Sequence, residues 1–264
     1  RQFSSKINTT VFSTTIICLM LFVTICLLSS CLTIKNSMNA NIKELAPVDV
    51  MFTTTMNMDK YYDNFRSYGW NDNQIKNSHY TTKEMFSLFD FDITKYLRDY
   101  IEVNTYATPD LTMNHTLGSK LNQIRTSFPF LQYDTMESIM KISDYNKVAR
   151  FYGNEEYSLN SNEYMIVADF KSMIEVRNIA LENHETINLF GHTLKPKYDS
   201  CQDGFVEMSS NHINTGIIIV PDNVIDEDYL IQNHLIGNYK TQDKNEITEI
   251  ENNINTLAKD PKSK

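Results

Sequence analysis

The chain has 264 residues, of which 41% are hydrophobic and 22% are charged, and its formal net charge at pH 7 is −9. Of its 33 acidic residues only Glu44 precedes Pro47, and of its 24 basic residues four do, which leaves 32 acidic against 20 basic side chains after Pro47. Such an acidic segment is a poor partner for nucleic acid. The 14 Phe and 15 Tyr residues exclude a disordered tail, because they can build a hydrophobic core.

An uncharged run of 28 residues extends from Ile7 to Ile34, and its most apolar part is Ile16 to Leu28. A helix rises about 1.5 Å per residue and the hydrocarbon core is about 30 Å thick, so roughly 20 apolar residues cross it. The hydrophobic region of a secretory signal is shorter, roughly 7 to 15 residues. We therefore predict a membrane helix rather than a cleaved signal peptide.

The charges that flank this run do not orient it. Arg1 and Lys6 precede the run, and Lys35 and Lys43 follow it. The positive-inside rule compares Lys and Arg on the two sides, and here the two sides are equal. The residues by themselves leave the orientation open.

The membrane helix is predicted to continue through Lys35 to Leu45, where polar residues follow without a helix breaker until Pro47. This divides the chain into a transmembrane helix with its stalk, residues 1–46, and a folded domain, residues 47–264. The domain is expected to be one body, or two lobes with a boundary near residues 130–142.

The first half of the domain gives mixed signals. Val48 to Thr55 is rich in β-branched residues and predicts a strand. Thr81 or Thr82 with Glu84 predicts a helix start, whereas the residues that follow, as far as Tyr100, fit a helix or a strand. Phe128 to Tyr133 is expected to return to the core.

The second half has clearer periodicity. A helix is predicted over Ser143 to Tyr152, with Ser143 as N-cap and Gly153 as the residue that ends it. The other predicted elements are strands over Glu163–Phe170, Thr186–Leu194 and Gly216–Val220, a strand pair or one long bent strand over Tyr229–Lys240, and helices over Lys171–Asn183 and Lys244–Ala258. Strands and helices without a regular βα repeat indicate an α+β domain.

The cysteines exclude a disulfide-stapled module. Cys18, Cys26 and Cys31 lie inside the apolar run, and Cys201 is the single cysteine of the rest of the chain. No disulfide can form within the domain, which must be held by its core. We expect Cys201 to be a half-buried small hydrophobic residue rather than a reactive thiol.

Motifs for nucleotide binding and for metal catalysis are missing from the sequence. There is no GxxxxGK[ST], GxGxxG or HExxH pattern, and only seven glycines are present. Six histidines are too far apart for a recognised metal-ligand spacing, and we predict neither a metal site nor a cofactor. They are His79, His115, His184, His192, His212 and His234.

Two short polar segments resemble functional sites only superficially. The acidic stretch from Asp222 to Asp228 includes Asp226 and Glu227 but lacks the EF-hand pattern, so we predict a solvated turn. Ser209, Ser210 and His212 are close in sequence, yet no GxSxG elbow is present, and a triad is defined by geometry. We therefore predict no catalytic residues and no enzymatic activity.

Two stretches resemble a known family. They are residues 1–30 (RQFSSKINTTVFSTTIICLMLFVTICLLSS) with the exit at residues 41–50 (NIKELAPVDV), and residues 141–169 (KISDYNKVARFYGNEEYSLNSNEYMIVAD). They are similar to the membrane segment and the extracytoplasmic domain of FtsX-like permeases, which pair with ABC-type ATPases in Firmicutes. Permeases of bacitracin and lantibiotic detoxification transporters are among these.

The resemblance implies an orientation and a partner. It implies that Arg1 and Lys6 are cytoplasmic, that residues 47–264 lie outside the cell membrane, and that further membrane helices follow Lys264. It also implies a separate cytoplasmic ATPase subunit, and a peptide or lipid-linked compound as ligand. On this interpretation the chain, which begins with Arg, is an internal piece of a longer protein.

Two alternatives use the same residues differently. The first is a membrane-tethered extracytoplasmic sensor or binding domain with no ATPase partner, in which the helix is simply an anchor. The second is a tethered hydrolase, for which His184 and His212 would be the only candidate residues.

Overall fold

The computed structural model describes residues 2–57, 66–67 and 69–257, and of residues 2–13 it describes the backbone alone. The chain divides into two compact units. The first contains residues 1–46 with 209–211, and the second contains residues 47–208 with 212–264.

The first unit is built on one long helix, α1, which spans Gln2–Leu45. Its part from Thr14 to Leu45 is long and apolar enough to cross a membrane by length and composition. The predicted continuation through Lys35 to Leu45 is confirmed. The helix ends just before Pro47 because the proline ring is incompatible with a further helical turn.

The second unit contains an eight-stranded mixed sheet with helices packed against it. Its strands are β1 (Val50–Thr55), β2 (Leu97–Tyr106), β3 (Ser138–Lys141), β4 (Glu163–Val167), β5 (Ile187–Leu189), β6 (His192–Pro196), β7 (Ile217–Val220) and β8 (Leu230–Tyr239). The α-helices whose bounds lie within the described residues are α2 (Asp72–Asn77), α3 (Thr82–Ser87), α4 (Met113–Leu117), α5 (Leu121–Ser127), α6 (Ile142–Tyr152), α7 (Lys171–Glu182) and α8 (Lys244–Leu257). Short 3-10 turns lie at Ile93–Tyr96, Gly118–Lys120, Asp222–Val224 and Glu227–Tyr229.

The strand order is β1-β8-β2-β3-β7-β4-β6-β5. β8 lies between β1 and β2 and is antiparallel to both, with Thr53 and Val103 on either side of His234. The pairs β3 with β7 and β4 with β6 are parallel, and the others are antiparallel. This mixed pairing confirms the predicted α+β class.

Three hydrophobic clusters are formed by the described residues of the second unit. One surrounds the sheet centre and includes Tyr106, Ile139 and Ile218. A second joins α4, α5 and α7, and a third joins β1, β2 and β8 to α8 through Ile250. The third cluster is the one that positions the candidate site below.

Helix α6 confirms one predicted end and corrects the other. Its apolar face is buried as expected, and it ends at Gly153, whose φ of +80° is the left-handed conformation that favours glycine. Ser143, however, is not the N-cap: the helix begins at Ile142. The Ser143 N–H donates to Asp222 Oδ1 at 3.1 Å instead, so a distant loop supplies the acceptor.

The segment Thr186–Leu194 is a hairpin rather than one strand. Phe190 and Gly191 both have positive φ, +48° and +83°, and they turn the chain between β5 and β6. For Tyr229–Lys240 the sequence allowed either a strand pair or one long bent strand. The segment forms the single strand β8.

Phe128–Tyr133 returns to the core only in part. Tyr133 is buried, and its hydroxyl donates to the Phe128 carbonyl at 2.7 Å. Phe130 is 98% exposed, which corrects the expectation for that residue. Residues 130–142, where a lobe boundary was considered, include β3, which pairs with strands on both sides within the sheet.

Candidate functional site

An apolar groove of about 520 Å³ lies beside the edge strand β1. It is bounded by β1, α2, α3 and the end of α8, all within the second unit. Its described lining carries no charged side chain, and its apolar members are Met51, Phe52, Trp70, Met85, Phe86, Phe89, Ile254 and Leu257. Concave, mostly apolar surfaces with a few polar groups are typical of ligand sites.

Aromatic rings form the floor of this β1 groove. Phe52 of β1 meets Phe86 of α3 edge to face, with ring centroids 5.2 Å apart. Phe86 also lies 5.7 Å from Phe91, which stacks on Tyr96 at 5.2 Å. Edge-to-face and stacked arrangements of this kind are the favourable ones for aromatic pairs, because each ring has a negative face and a positive edge. The floor is therefore held in place by packing that continues into the core.

A capping box fixes the start of α3. The Thr81 side chain accepts from the Glu84 N–H at 3.4 Å, and the Thr81 N–H donates to Glu84 Oε2 at 2.8 Å. The backbone N–H of Thr81 and then its hydroxyl hold the pKa of Glu84 below its usual range. The predicted helix start at Thr81 with Glu84 is thereby confirmed.

Buried hydrogen bonds connect α3 to the sheet. The Thr82 N–H donates to Asn233 Oδ1 at 2.8 Å, and the Thr82 hydroxyl donates to the Asn233 carbonyl at 3.0 Å. The hydroxyls of Thr54 and Thr82 are also 3.0 Å apart. Because Thr82 and Asn233 are almost fully buried, these bonds are costly to break and hold the groove wall against β8.

The outer edge of β1 offers unused backbone groups. In an antiparallel ladder, pairs that exchange both N–H···O bonds alternate with pairs that exchange none. The Met56 N–H donates to the Ile231 carbonyl at 2.7 Å, so the even-numbered residues of β1 bond to β8. Alternate residues therefore direct their N–H and C=O groups away from β8, and within the described residues no strand pairs with them. They are Met51, Thr53 and Thr55.

A smaller polar cavity of about 160 Å³ lies on the other face of these strands. Its lining includes the buried His234, whose Nδ1 is 2.9 Å from the Thr53 hydroxyl and whose Nε2 is 2.9 Å from the Thr105 hydroxyl. Burial lowers the pKa of His234 to about 4, so the ring is neutral at pH 7. Both ring nitrogens have partners, which makes His234 a satisfied core histidine.

At the rim of this cavity, Asp169 faces His212. Asp169 Oδ1 accepts from the Asn214 N–H at 2.7 Å, and Oδ2 lies 3.5 Å from His212 Nδ1. Burial raises the pKa of Asp169, while the Asn214 N–H and His212 act in the opposite direction. His212 Nδ1 lies beside this carboxylate but makes no hydrogen bond within the described structure, and the Asp169 carboxylate is held by the Asn214 backbone.

The other histidines considered as metal ligands are dispersed. His115 Nδ1 accepts from the Thr112 N–H at 3.1 Å, and His184 lies 3.5 Å from Asp199 at the surface. Across the described part of the chain, no group of three His, Cys, Asp or Glu side chains is arranged to hold a metal ion.

The acidic stretch after β7 contacts protein groups. Glu227 contacts the Lys141 ammonium and accepts from the Tyr106 hydroxyl at 2.7 Å. Burial raises the pKa of Glu227, but the bonds from Lys141 and Tyr106 outweigh it, so the pKa is lowered. Asp226 Oδ1 accepts from the Asp228 N–H at 3.0 Å, as an acidic residue does when it caps a turn.

Cys201 is half-buried and packs against the central cluster, as expected. Burial raises the pKa of its thiol to about 11, which keeps it protonated at neutral pH. The Cys201 N–H donates to Asn178 Oδ1 at 2.8 Å. A reactive role for this thiol has no support in its surroundings.

Sequence reasoning did not identify the β1 groove. Phe86 with Phe89, and Ile254 with Leu257, recur at helical spacing in the sequence, but nothing in that spacing shows that the two apolar faces meet. Tyr61, Tyr62 and Tyr68, for which the sequence is compatible with ligand contact but favours packing in the core, lie outside the described residues.

No protein-family model matches this chain, and no curated protein matches it. Among solved structures, the chain is similar to a crystal structure of a protein named as a lipoprotein, from Bacillus anthracis. The match has 6% sequence identity and a TM-score of 0.35, and it covers 64% of this chain and 83% of that one. At this identity and TM-score the similarity assigns no function to the chain.

Proposed function

We propose that this chain is part of a permease subunit of the FtsX-like family, driven by a separate cytoplasmic ABC ATPase. In this proposal α1 lies in the cell membrane, and residues 47–264 lie outside it and bind a peptide or a lipid-linked compound. Export of antimicrobial compounds, or resistance to them, is the corresponding physiological role. ATP hydrolysis belongs to the partner subunit.

The observation that carries this proposal is the continuity of α1. One helix of 44 residues includes both the apolar run and the polar stretch from Lys35 to Leu45. Four residues of chain then separate it from β1. A helix without a break is stiff along its axis, so a displacement of its apolar part would be passed along the chain to β1.

The β1 groove supports the ligand-binding part of the proposal. It is open, apolar and free of charged lining residues in the described part of the chain, as a site for an amphipathic ligand requires. The excess of acidic residues after Pro47 also favours cationic compounds through long-range attraction. Salt screens this attraction beyond roughly 8 Å at physiological strength.

The second candidate is a membrane-tethered sensor or binding domain without an ATPase. It is favoured by the same groove, and under it α1 is simply an anchor. The two candidates differ in whether an ATPase responds to a ligand of the outer domain.

The test is purification of the full-length protein in detergent, followed by measurement of associated ATPase activity with and without cationic peptides. We expect a stoichiometric ATPase whose rate changes on peptide addition. Inserting Gly-Gly after Asn41 should abolish this response, because glycines make the helix flexible. Inserting Ala-Ala at the same place is the matched control, since it adds the same length and rotation but keeps the helix stiff.

Two outcomes would contradict the proposal in different ways. A homogeneous protein without ATPase would favour the tethered domain. If the ATPase responds equally in the wild type and in the Gly-Gly variant, the permease assignment stands, and the transmission of motion through a stiff α1 is contradicted.

A further inference from the structure

We propose that the β1 groove binds an extended cationic peptide by strand addition, so that the peptide becomes a ninth strand beside β1. This inference deepens the proposed function, on which it rests for the biological source of the peptide. The binding itself is measurable without an ATPase, so the two proposals can fail separately.

The first argument is that alternate residues of β1 direct their backbone groups away from β8. Met51, Thr53 and Thr55 direct their backbone N–H and C=O groups toward the open edge, where the described residues supply no partner. Three such residues present the alternating donors and acceptors that an extended peptide needs. Strand addition satisfies these groups without any change in the sheet.

The second argument is the position of the groove relative to that edge. All five β1 residues from Met51 to Thr55 line the groove; the side chains of Phe52 and Thr54 lie on one face of the strand, and that of Thr53, which contacts His234, lies on the other. A strand added beside β1 places every second side chain on the Phe52 face, above the aromatic floor. The groove therefore accommodates apolar side chains at alternate peptide positions, while the intervening positions lie on the other face.

The third argument is charge complementarity. Helices α2, α3 and α8, which border the groove, carry five acidic and three basic side chains. Asp72 pairs with Arg66 and Lys83 with Glu102, which leaves four acidic against two basic groups. Three of these, Glu246, Glu249 and Glu251, are exposed on α8, at positions before Ile254 and Leu257, where this helix lines the groove. A peptide with apolar and cationic residues in alternation complements this border, whereas a second copy of the chain would bring two acidic borders together.

The experiment uses the full chain in detergent and a fluorescein-labelled, N-acetylated heptapeptide in which valine and lysine alternate. Fluorescence anisotropy measures its binding. We expect saturable binding that weakens at least tenfold when glutamate replaces lysine in the peptide, or when alternate peptide amides are N-methylated. The first change removes charge complementarity, and the second removes the N–H donors of the strand.

Two pairs of variants test the site. Thr55→Pro removes an edge N–H that β8 does not use, and proline is tolerated at such positions, whereas Thr55→Val keeps the N–H. Met85→Trp fills the groove, whereas Met85→Leu keeps its volume close to the original. We expect Thr55→Pro and Met85→Trp to weaken binding at least tenfold, and each matched control to stay within twofold of the wild type.

Several results would overturn the inference. These are the absence of saturable binding to the wild type, equal binding of the N-methylated and unmodified peptides, or equal binding to Thr55→Pro and the wild type. A concentration-dependent dimer that Thr55→Pro abolishes would assign the edge to a second copy instead. If thermal melting shows that Thr55→Pro is unfolded, the Met85 pair and the N-methylated peptide decide the question. Peptide binding without an ATPase response would leave this inference in place and contradict the proposed function.

Discussion

Replacing Glu137 by Gln leaves the guanidinium of Arg177 buried without its carboxylate partner. Arg177 Nη1 and Nη2 donate to the two Glu137 oxygens at 3.0 and 2.8 Å, and Arg177 Nε donates to the Thr215 carbonyl at 2.6 Å. The side chains of Arg177 and Glu137 are only 2% and 4% exposed. Burial acts to lower the pKa of Arg177, but the adjacent Glu137 outweighs it and the pKa is raised. The substitution removes the group that raises this pKa, but a guanidinium is not deprotonated in proteins, so Arg177 stays charged in the variant.

The expected loss is about 3–5 kcal/mol of unfolding free energy, the usual result of removing one partner of a buried ion pair. For a domain of this size 1 kcal/mol corresponds to about 2–4 °C in Tm, so Glu137→Gln should lower Tm by roughly 6–20 °C. The single tryptophan, Trp70, lies in the second unit and reports its thermal unfolding by fluorescence.

An exposed pair of the same chemistry provides the control. Arg150 and Glu156 are 2.6 Å apart, but their side chains are 69% and 41% exposed. Glu156→Gln should leave Tm close to the wild-type value, because water screens exposed pairs. The double variant Glu137→Leu with Arg177→Met should melt above Glu137→Gln, since it leaves no charge buried. A Tm for Glu137→Gln within about 2 °C of the wild type would refute this reasoning.

Three further predictions concern the second unit. His234 has a pKa of about 4 when folded and about 6.5 when unfolded, so the unfolded state binds more protons between these values. Stability should therefore fall by about 3 kcal/mol as the pH drops from about 6.5 to 4, and His234→Gln should flatten that part of the curve of Tm against pH. Gly204→Ala should lower the stability of the domain more than Gly153→Ala. Both positions have positive φ, but a Cβ added at Gly204 overlaps the hydroxyl of the buried Tyr145, whereas a Cβ added at Gly153 has no atom within 4 Å. Equal Tm values for these two variants would contradict the packing at Gly204. Phe130→Ser should change the unfolding free energy by less than about 0.5 kcal/mol in denaturant titrations, because a fully exposed ring makes little packing contribution.

The elements that the sequence predicted well depend on neighbouring residues. The extent of α1 follows from an uncharged run, a stalk without helix breakers and Pro47, all within one stretch of chain. Helices α7 and α8 follow from apolar residues at helical spacing, and Gly153 and Thr81 end and begin helices through their own backbone and side-chain chemistry. Where the decisive partner is distant, the prediction was wrong, as at Ser143, whose N–H bonds to Asp222.

The candidate site was decided by tertiary structure alone. The sequence predicted β1 as a strand, but its position at the sheet edge depends on pairing with β8, which is about 180 residues away in the chain. The groove then forms because the apolar faces of α3 and α8 meet beside Phe52. Local periodicity shows that each face must be buried, but it does not show against what, because many pairings bury the same apolar area. The sequence by itself therefore determined an apolar helix joined to an α+β domain, and the strand order determined where that domain has an open edge.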